Sequence, residues 1–253
     1  MKLSYLAKRP VERTIWQTLK PFYSLTSGRY FNITSEGVEN LPNDSAIIAQ
    51  NHSFAFDGLF TSLALPKQIH YFIQREKVYE RNIWNHISFW ALGLLPVHVD
   101  SKMSREDYQS FLRAQDYLKS FPDLVGIFID GPAKELKIDG KIIPKEEREV
   151  KPGASALYFR VNQDINIPII PVGTWLPERI AKQLWQADWQ NRGVTNSYLR
   201  RLLEREGRID YQVRVGKPIY SSDKRLQGLN KNEKKEVLEE TLKQEIIRLS
   251  QAP

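Results

Sequence analysis

The sequence predicts an α/β protein, with a mostly parallel sheet flanked by helices on both faces. Two observations carry this. Short apolar runs without polar alternation, such as Ala46-Ile47-Ile48-Ala49, have the character of strands buried on both sides. Between such runs lie longer segments in which apolar residues return every three or four positions, the period of an amphipathic helix. Strands that alternate with helices favour parallel pairing, because a parallel neighbour is reached only through a crossover.

The elements follow in order. Val11, Ile15, Trp16, Leu19, Phe22 and Tyr23 recur at helical spacing, with Arg13, Gln17 and Lys20 between them. Residues 1–29 are therefore expected to hold an amphipathic helix of basic, aromatic-rich character. It has two open fates: packing on the core, or lying in a membrane interface, where tryptophan, tyrosine and lysine are favoured. Ala46–Ala49 is the first expected strand, and Leu59, Phe60 and Leu63 mark a helix after Ser53. Tyr71-Phe72-Ile73, Val125–Ile129, Ile167–Val172 and Tyr211–Val215 supply four more strands. Helical patterns cover about 104–120, 153–162 and 232–250, the last a solvated helix that mixes lysine with glutamate. The segment Ile83–Leu95 reads as a core helix plus strand, or as a surface that meets lipid. With no repeat or low-complexity linker, residues 1–253 are expected to form one domain.

Composition excludes several chemistries. No cysteine is present, which removes disulfides, thiolate catalysis and cysteine-based metal sites. The four histidines, His52, His70, His86 and His98, include no pair at a helical zinc spacing, so no metal is expected. Lys2, Lys8, Arg9, Glu12 and Arg13 interrupt what would be the apolar core of a signal peptide. No window approaches the run of about 20 apolar residues that a spanning helix needs. A cytoplasmic protein is expected. Its formal net charge of +7 suits a polyanionic partner. No nucleic-acid module is recognisable, so the expected partner is an anionic membrane surface, held peripherally at its inner face, and no nucleic acid.

The most informative stretch is Asn51-His52-Ser53-Phe54-Ala55-Phe56-Asp57. A histidine at a strand-to-helix turn, with an aspartate just inside the helix, can form a general-base pair. The carboxylate fixes the imidazole tautomer and raises its basicity, and the other ring nitrogen takes a proton. Positions five apart on an unbroken helix lie about 140° apart and do not face each other. The pair therefore requires the helix to start after His52, with Ser53 near the N-cap and Asp57 in the first turn. An ordinary structural hydrogen bond is the plainer alternative.

The pattern Asn-His-x-x-x-x-Asp resembles the first block of the glycerolipid acyltransferase superfamily, the lysophosphatidate-type acyltransferases. Gly93-Leu94-Leu95-Pro96-Val97 is similar to the family's second block, and Ile127-Phe128-Ile129-Asp130-Gly131 to a variant of its third, Phe-Pro-Glu-Gly. Lys151-Pro152-Gly153-Ala154 resembles the turn that opens the next helix, and Ile169-Ile170-Pro171-Val172 the fourth block. The resemblance spans roughly residues 30–218 and leaves 176–208, with Trp185 and Trp189, as an insertion.

The resemblance implies acyl transfer from a thioester, acyl-CoA or acyl carrier protein, to a hydroxyl of a lysophospholipid or related lipid. No metal or redox cofactor is implied. His52 would act as general base and Asp57 would orient it. Backbone N–H groups near Gly131, or at the start of the helix after His52, would meet the developing oxyanion. Asn51, Asp130 and Gly131 would belong to the substrate site, although Asp-Gly-Pro is also a strong turn signal in its own right. Two arginines that commonly serve phosphate in the family are missing: Val99 stands in the second block, and Pro132-Ala133 follow Asp130-Gly131. Arg75, Lys77, Lys134 and Lys151 are the candidate replacements. An altered acceptor without a phosphomonoester, such as a glycolipid, is the economical consequence. Two rivals stand beside this reading: a catalytically weak lipid-binding protein on the same fold, and a basic nucleic-acid-binding protein.

Overall fold

The computed structural model describes residues 2–53, 57–74, 93–97, 105–130, 137–138, 141–144, 147–190, 201 and 204–253. Helix α1 (Lys2–Gly28) leads into strand β1 (Phe31–Glu36) and then β2 (Ala46–Gln50). Helix α2 (Asp57–Ala64), β3 (Ile69–Gln74), β4 (Leu95–Val97) and α3 (Arg105–Ser120) follow. Next come β5 (Leu124–Phe128), a small hairpin of β6 (Lys137–Ile138) and β7 (Lys141–Ile142), and α4 (Gly153–Val161). The chain continues through β8 (Ile169–Trp175), α5 (Glu178–Gln190), β9 (Ile209–Val215) and α6 (Lys231–Leu249).

Seven strands form the main sheet in the order β1-β9-β8-β2-β5-β3-β4. All described pairings in it are parallel except β8 with β9. The expected α/β class is what the chain adopts. β2 lies at the centre and is buried along its whole length, which is why its sequence lacks alternation. Ala46 and Ile48 face one core, with Phe60 of α2 and Ile180 and Leu184 of α5. Ile47 and Ala49 face the other, with Leu118 of α3, Leu157 of α4 and Leu238, Leu242 and Ile246 of α6. Each helix thus seals one side of a double-faced sheet.

Two strands of the main sheet, and the β6–β7 hairpin, were not expected from the sequence or only in part. β1 is an edge strand whose burial alternates, so only Phe31 is fully buried and the run carries four polar residues. β4 is the end of the Ile83–Leu95 segment extended to Val97; the rest of that segment lies outside the described residues, apart from Gly93 and Leu94. The expected insertion contains α5, whose Leu184 enters the core; the side chains of Trp185 and Trp189 lie outside the described residues.

Helix α1 packs on the domain along one stripe, the first of its two expected fates. Glu12 and Trp16 point inward and are buried, while Val11, Phe22 and Leu25 point outward. Glu12 accepts a hydrogen bond from the Tyr117 hydroxyl of α3 at 2.9 Å, a buried polar tie between helix and domain. Among the described residues, no helix is long and apolar enough to cross a membrane.

Candidate active site

In an open α/β sheet, side chains for chemistry collect beyond the carboxyl ends of parallel strands. Here β8, β2 and β5 run side by side; β2 and β5 end together, with Gln50 opposite both Phe128 and Val172, and β8 runs on to Trp175. The Ile129 N–H extends the ladder to the Gln50 carbonyl at 2.9 Å. Asn51, His52 and Ser53 leave β2 at this edge, Asp130 leaves β5, and Thr174 lies near the end of β8. β9 runs antiparallel to β8, so it enters the sheet where β8 leaves and brings Tyr211 to the same edge.

The His52–Asp57 pair forms. His52 Nδ1 lies 3.0 Å from Asp57 Oδ2, with the histidine side chain 12% exposed and the aspartate 0%. The imidazole is partly open to solvent while the carboxylate beside it is sealed. Asp57 stands in the first turn of α2, as expected for a helix that begins after His52, and residues 54–56 lie outside the described set. Its Oδ2 also accepts the Ser53 backbone N–H, and its Oδ1 accepts the Tyr211 hydroxyl at 2.8 Å. A carboxylate held by these donors is an acceptor only, so the imidazole presents its Nδ1 proton to it and Nε2 is the basic nitrogen.

The histidine is fixed on all sides. Its backbone N–H donates to both oxygens of Asp130 at 3.0 Å, and its carbonyl accepts from Arg148 Nη1 at 3.0 Å. Arg148 also donates to Asp130 Oδ2 at 2.7 Å and, through Nε, to the Ile143 carbonyl at 3.0 Å. Asp130 and Arg148 are both buried. Burial pushes the Asp130 carboxyl above its ordinary range, and the nearby Arg148 and His52, with their hydrogen bonds, oppose that rise only in part. The imidazole stacks on Phe128, centroids 4.3 Å apart, and Phe128 stacks in turn on Tyr71 at 5.2 Å. Tyr71 donates to Gln50 Oε1 at 2.5 Å, and Gln50 Nε2 to Thr61 Oγ1 at 2.9 Å, which closes the network under α2.

The structure brings four of the sequence candidates together: Asn51, His52, Asp57 and Asp130. Asn51 faces inward; its Oδ1 accepts the Thr174 N–H at 2.7 Å and its Nδ2 donates to Ser53 Oγ at 2.8 Å and the Thr174 carbonyl at 3.2 Å. It clamps the turn to β8. Lys151 joins through its backbone, whose N–H meets the Ile129 carbonyl at 2.6 Å; its side chain is half-exposed and pairs with Glu149 at 3.7 Å. Gly131, Arg75, Lys77 and Lys134 lie outside the described residues. Of the backbone groups considered for an oxyanion, the N–H groups of His52 and Ser53 already donate to carboxylates.

Sequence reasoning missed Arg148, Thr174, Phe128 and Tyr211. Arg148 sits in Glu146-Glu147-Arg148-Glu149, a charged run that reads as solvated surface. Only its position three residues before the Lys151-Pro152-Gly153 turn hinted that it enters the site.

The model of the family named Acyltransferase matches residues 32–175, more than half of the chain. The chain belongs to the acyltransferase family. Its structure is similar to that of the 1-acyl-sn-glycerophosphate (LPA) acyltransferase PlsC from Thermotoga maritima. The TM-score is 0.56 at 13% identity, over 94% of this chain and 80% of that one. No curated protein matches the sequence. The family span contains His52, Asp57, Asp130, Arg148 and Thr174; Tyr211 comes after it.

Proposed function

We propose that this member of the acyltransferase family moves a fatty acyl group from an acyl thioester, acyl-CoA or acyl carrier protein, to a hydroxyl of a lysophospholipid or related lipid. The observation that carries the reading is the sealed Asp57 beneath a partly exposed His52, 3.0 Å apart at the carboxyl end of the sheet. His52 Nε2 takes the proton of the acceptor hydroxyl as its oxygen attacks the thioester carbonyl. Asp57 holds the imidazolium that results. On collapse of the tetrahedral intermediate the C–S bond breaks, and the imidazolium returns its proton to the departing thiolate. No covalent acyl-enzyme is needed, in keeping with a chain without cysteine. Asp130 and Arg148 act beneath this pair as positioning residues, since both hold the backbone of His52.

The same protein would work at the inner face of an anionic membrane. The outward stripe of α1 leaves Phe22 60% and Leu25 77% exposed, and the net charge is +7. An amphipathic helix anchored on one side and apolar on the other is suited to lie in the interface plane.

The test is acyl transfer from a labelled long-chain acyl-CoA into lysophosphatidate, other lysophospholipids and glycolipids, with wild-type and His52→Ala protein in parallel. Transfer to one acceptor, abolished by the substitution, is the expected result. Silence with both CoA and carrier-protein donors would overturn it in favour of lipid binding without catalysis.

A further inference from the structure

We propose that Tyr211 is a positioning residue that sets the basicity of the His52–Asp57 pair through its hydrogen bond to Asp57 Oδ1. The inference rests on the reading of His52 as general base, and it extends the working unit beyond the span that defines the family, residues 32–175.

The argument begins with topology. β9 is antiparallel to β8, with Thr174 opposite Val213 and Trp175 opposite Gln212, so residue 211 falls where β8 ends. Its side chain points to the core that contains Phe60, with ring centroids 5.2 Å apart in an edge-to-face contact. The phenol is fully buried, and its hydroxyl donates to Asp57 at 2.8 Å. The groups that face that hydroxyl are Asp57 and Thr61 from α2 and Thr174 from β8; on β1 the register partner of Tyr211 is Ile33. Those that bear on His52 are Asp57, Asp130 and Arg148. Burial and the neighbouring Asp57 push the phenol well above its ordinary range, so it stays a donor.

A hydrogen bond donated to one carboxylate oxygen draws charge from the other. Asp57 with Tyr211 attached therefore holds an imidazolium less tightly than Asp57 without it. Loss of the donor leaves more charge on the oxygen that faces His52 Nδ1 and so favours the protonated imidazole. Tyr211 thereby tempers the hold of Asp57 on the imidazolium.

The experiment is the pH dependence of kcat/KM for wild-type, Tyr211→Phe and His52→Ala protein, with the labelled acyl donor and the acceptor found above. Phenylalanine keeps the ring contact with Phe60 and removes the hydroxyl, and with it the donor to Asp57 and the contacts with Thr61 and Thr174. The expected result is an acid limb moved upward by about one pH unit, which is about tenfold lower activity on that limb with recovery at alkaline pH. KM for the acceptor should change little. An unmoved limb in a folded Tyr211→Phe protein overturns the proposal. If that variant does not fold, site-specific Tyr211→3-fluorotyrosine decides. A stronger donor must move the limb downward, and no movement overturns the proposal. Activity that survives His52→Ala refutes the general-base reading itself, which the Tyr211 result alone does not touch.

Discussion

Replacing Arg148 with methionine keeps most of the side-chain length and removes its charge and its donors. The native guanidinium is 7% exposed and bonds Asp130, the His52 carbonyl and the Ile143 carbonyl at 2.7, 3.0 and 3.0 Å. Stranding one member of a buried ion pair costs about 3–5 kcal/mol. Each neutral hydrogen bond lost adds about 1 kcal/mol, partly offset by the apolar burial of methionine. A net loss of about 4 kcal/mol near pH 7.5 corresponds to a melting temperature lower by roughly 10 °C for a chain of this size. The deficit should depend on pH. Burial already holds the Asp130 carboxyl above its ordinary range, and without Arg148 it rises further. The folded state then binds this proton more tightly than the unfolded chain does. Stability falls as pH climbs from the unfolded carboxylate range to the folded pKa, and acid returns it. Urea unfolding at pH 5 and 7.5 would therefore show the smaller deficit at pH 5. Adding Asp130→Asn to Arg148→Met should recover at least about 2 kcal/mol, because the unpaired charge is gone. Equal deficits at both pH values, with no recovery in the double variant, would refute the account of Arg148 as the counter-charge that holds Asp130 in place.

Asp57→Asn should lower kcat by about 10²–10⁴-fold with KM little changed, since it disturbs the tautomer and the imidazolium without touching substrate; steady-state kinetics check it. Phe22→Ser with Leu25→Ser should weaken binding to anionic vesicles by at least about tenfold in a flotation assay, given roughly 1.5–3 kcal/mol per buried side chain. Transfer to a monomeric short-chain acceptor should be unaffected by that pair. Gly173→Ala should destabilise by about 1–3 kcal/mol in the same urea assay, because an added Cβ would lie 2.4 Å from Leu249 Cβ and 2.5 Å from its backbone carbon.

Most of the sheet could be read from the sequence because its central strands are buried on both faces and are therefore uniformly apolar. Ala46–Ala49, Val125–Ile129 and Ile169–Val172 carry that signature. β1 does not, since an edge strand needs only one buried side chain to hold its place, and here Phe31 provides it. His52, Asp57 and Asp130 were visible because strand-to-helix and strand-to-turn junctions concentrate polar residues in short stretches. Arg148, Thr174 and Tyr211 reach the same place from 96, 121 and 154 residues away along the chain, through pairings that no local pattern encodes. The expected phosphate-binding substitutes show the same limit. A lysine or arginine in a polar run looks alike whether its side chain stays half in solvent, as that of Lys151 does, or lies beneath His52, as that of Arg148 does.

The strand that stands first in the chain is completed by the last. β1 pairs in register with β9, and the side chains of Asn32 and Asp210 meet across 178 residues. At about 5–20 residues per second, β1 waits on the order of ten to thirty-five seconds on the ribosome before its partner exists. The polar tie from Glu12 to Tyr117 must also wait, across 105 residues. Helix α1 thus emerges well before Tyr117, whose hydroxyl holds Glu12 of its inward stripe. The edge that β1 forms with β9 closes later still, after helix α1 and the rest of the sheet have been made.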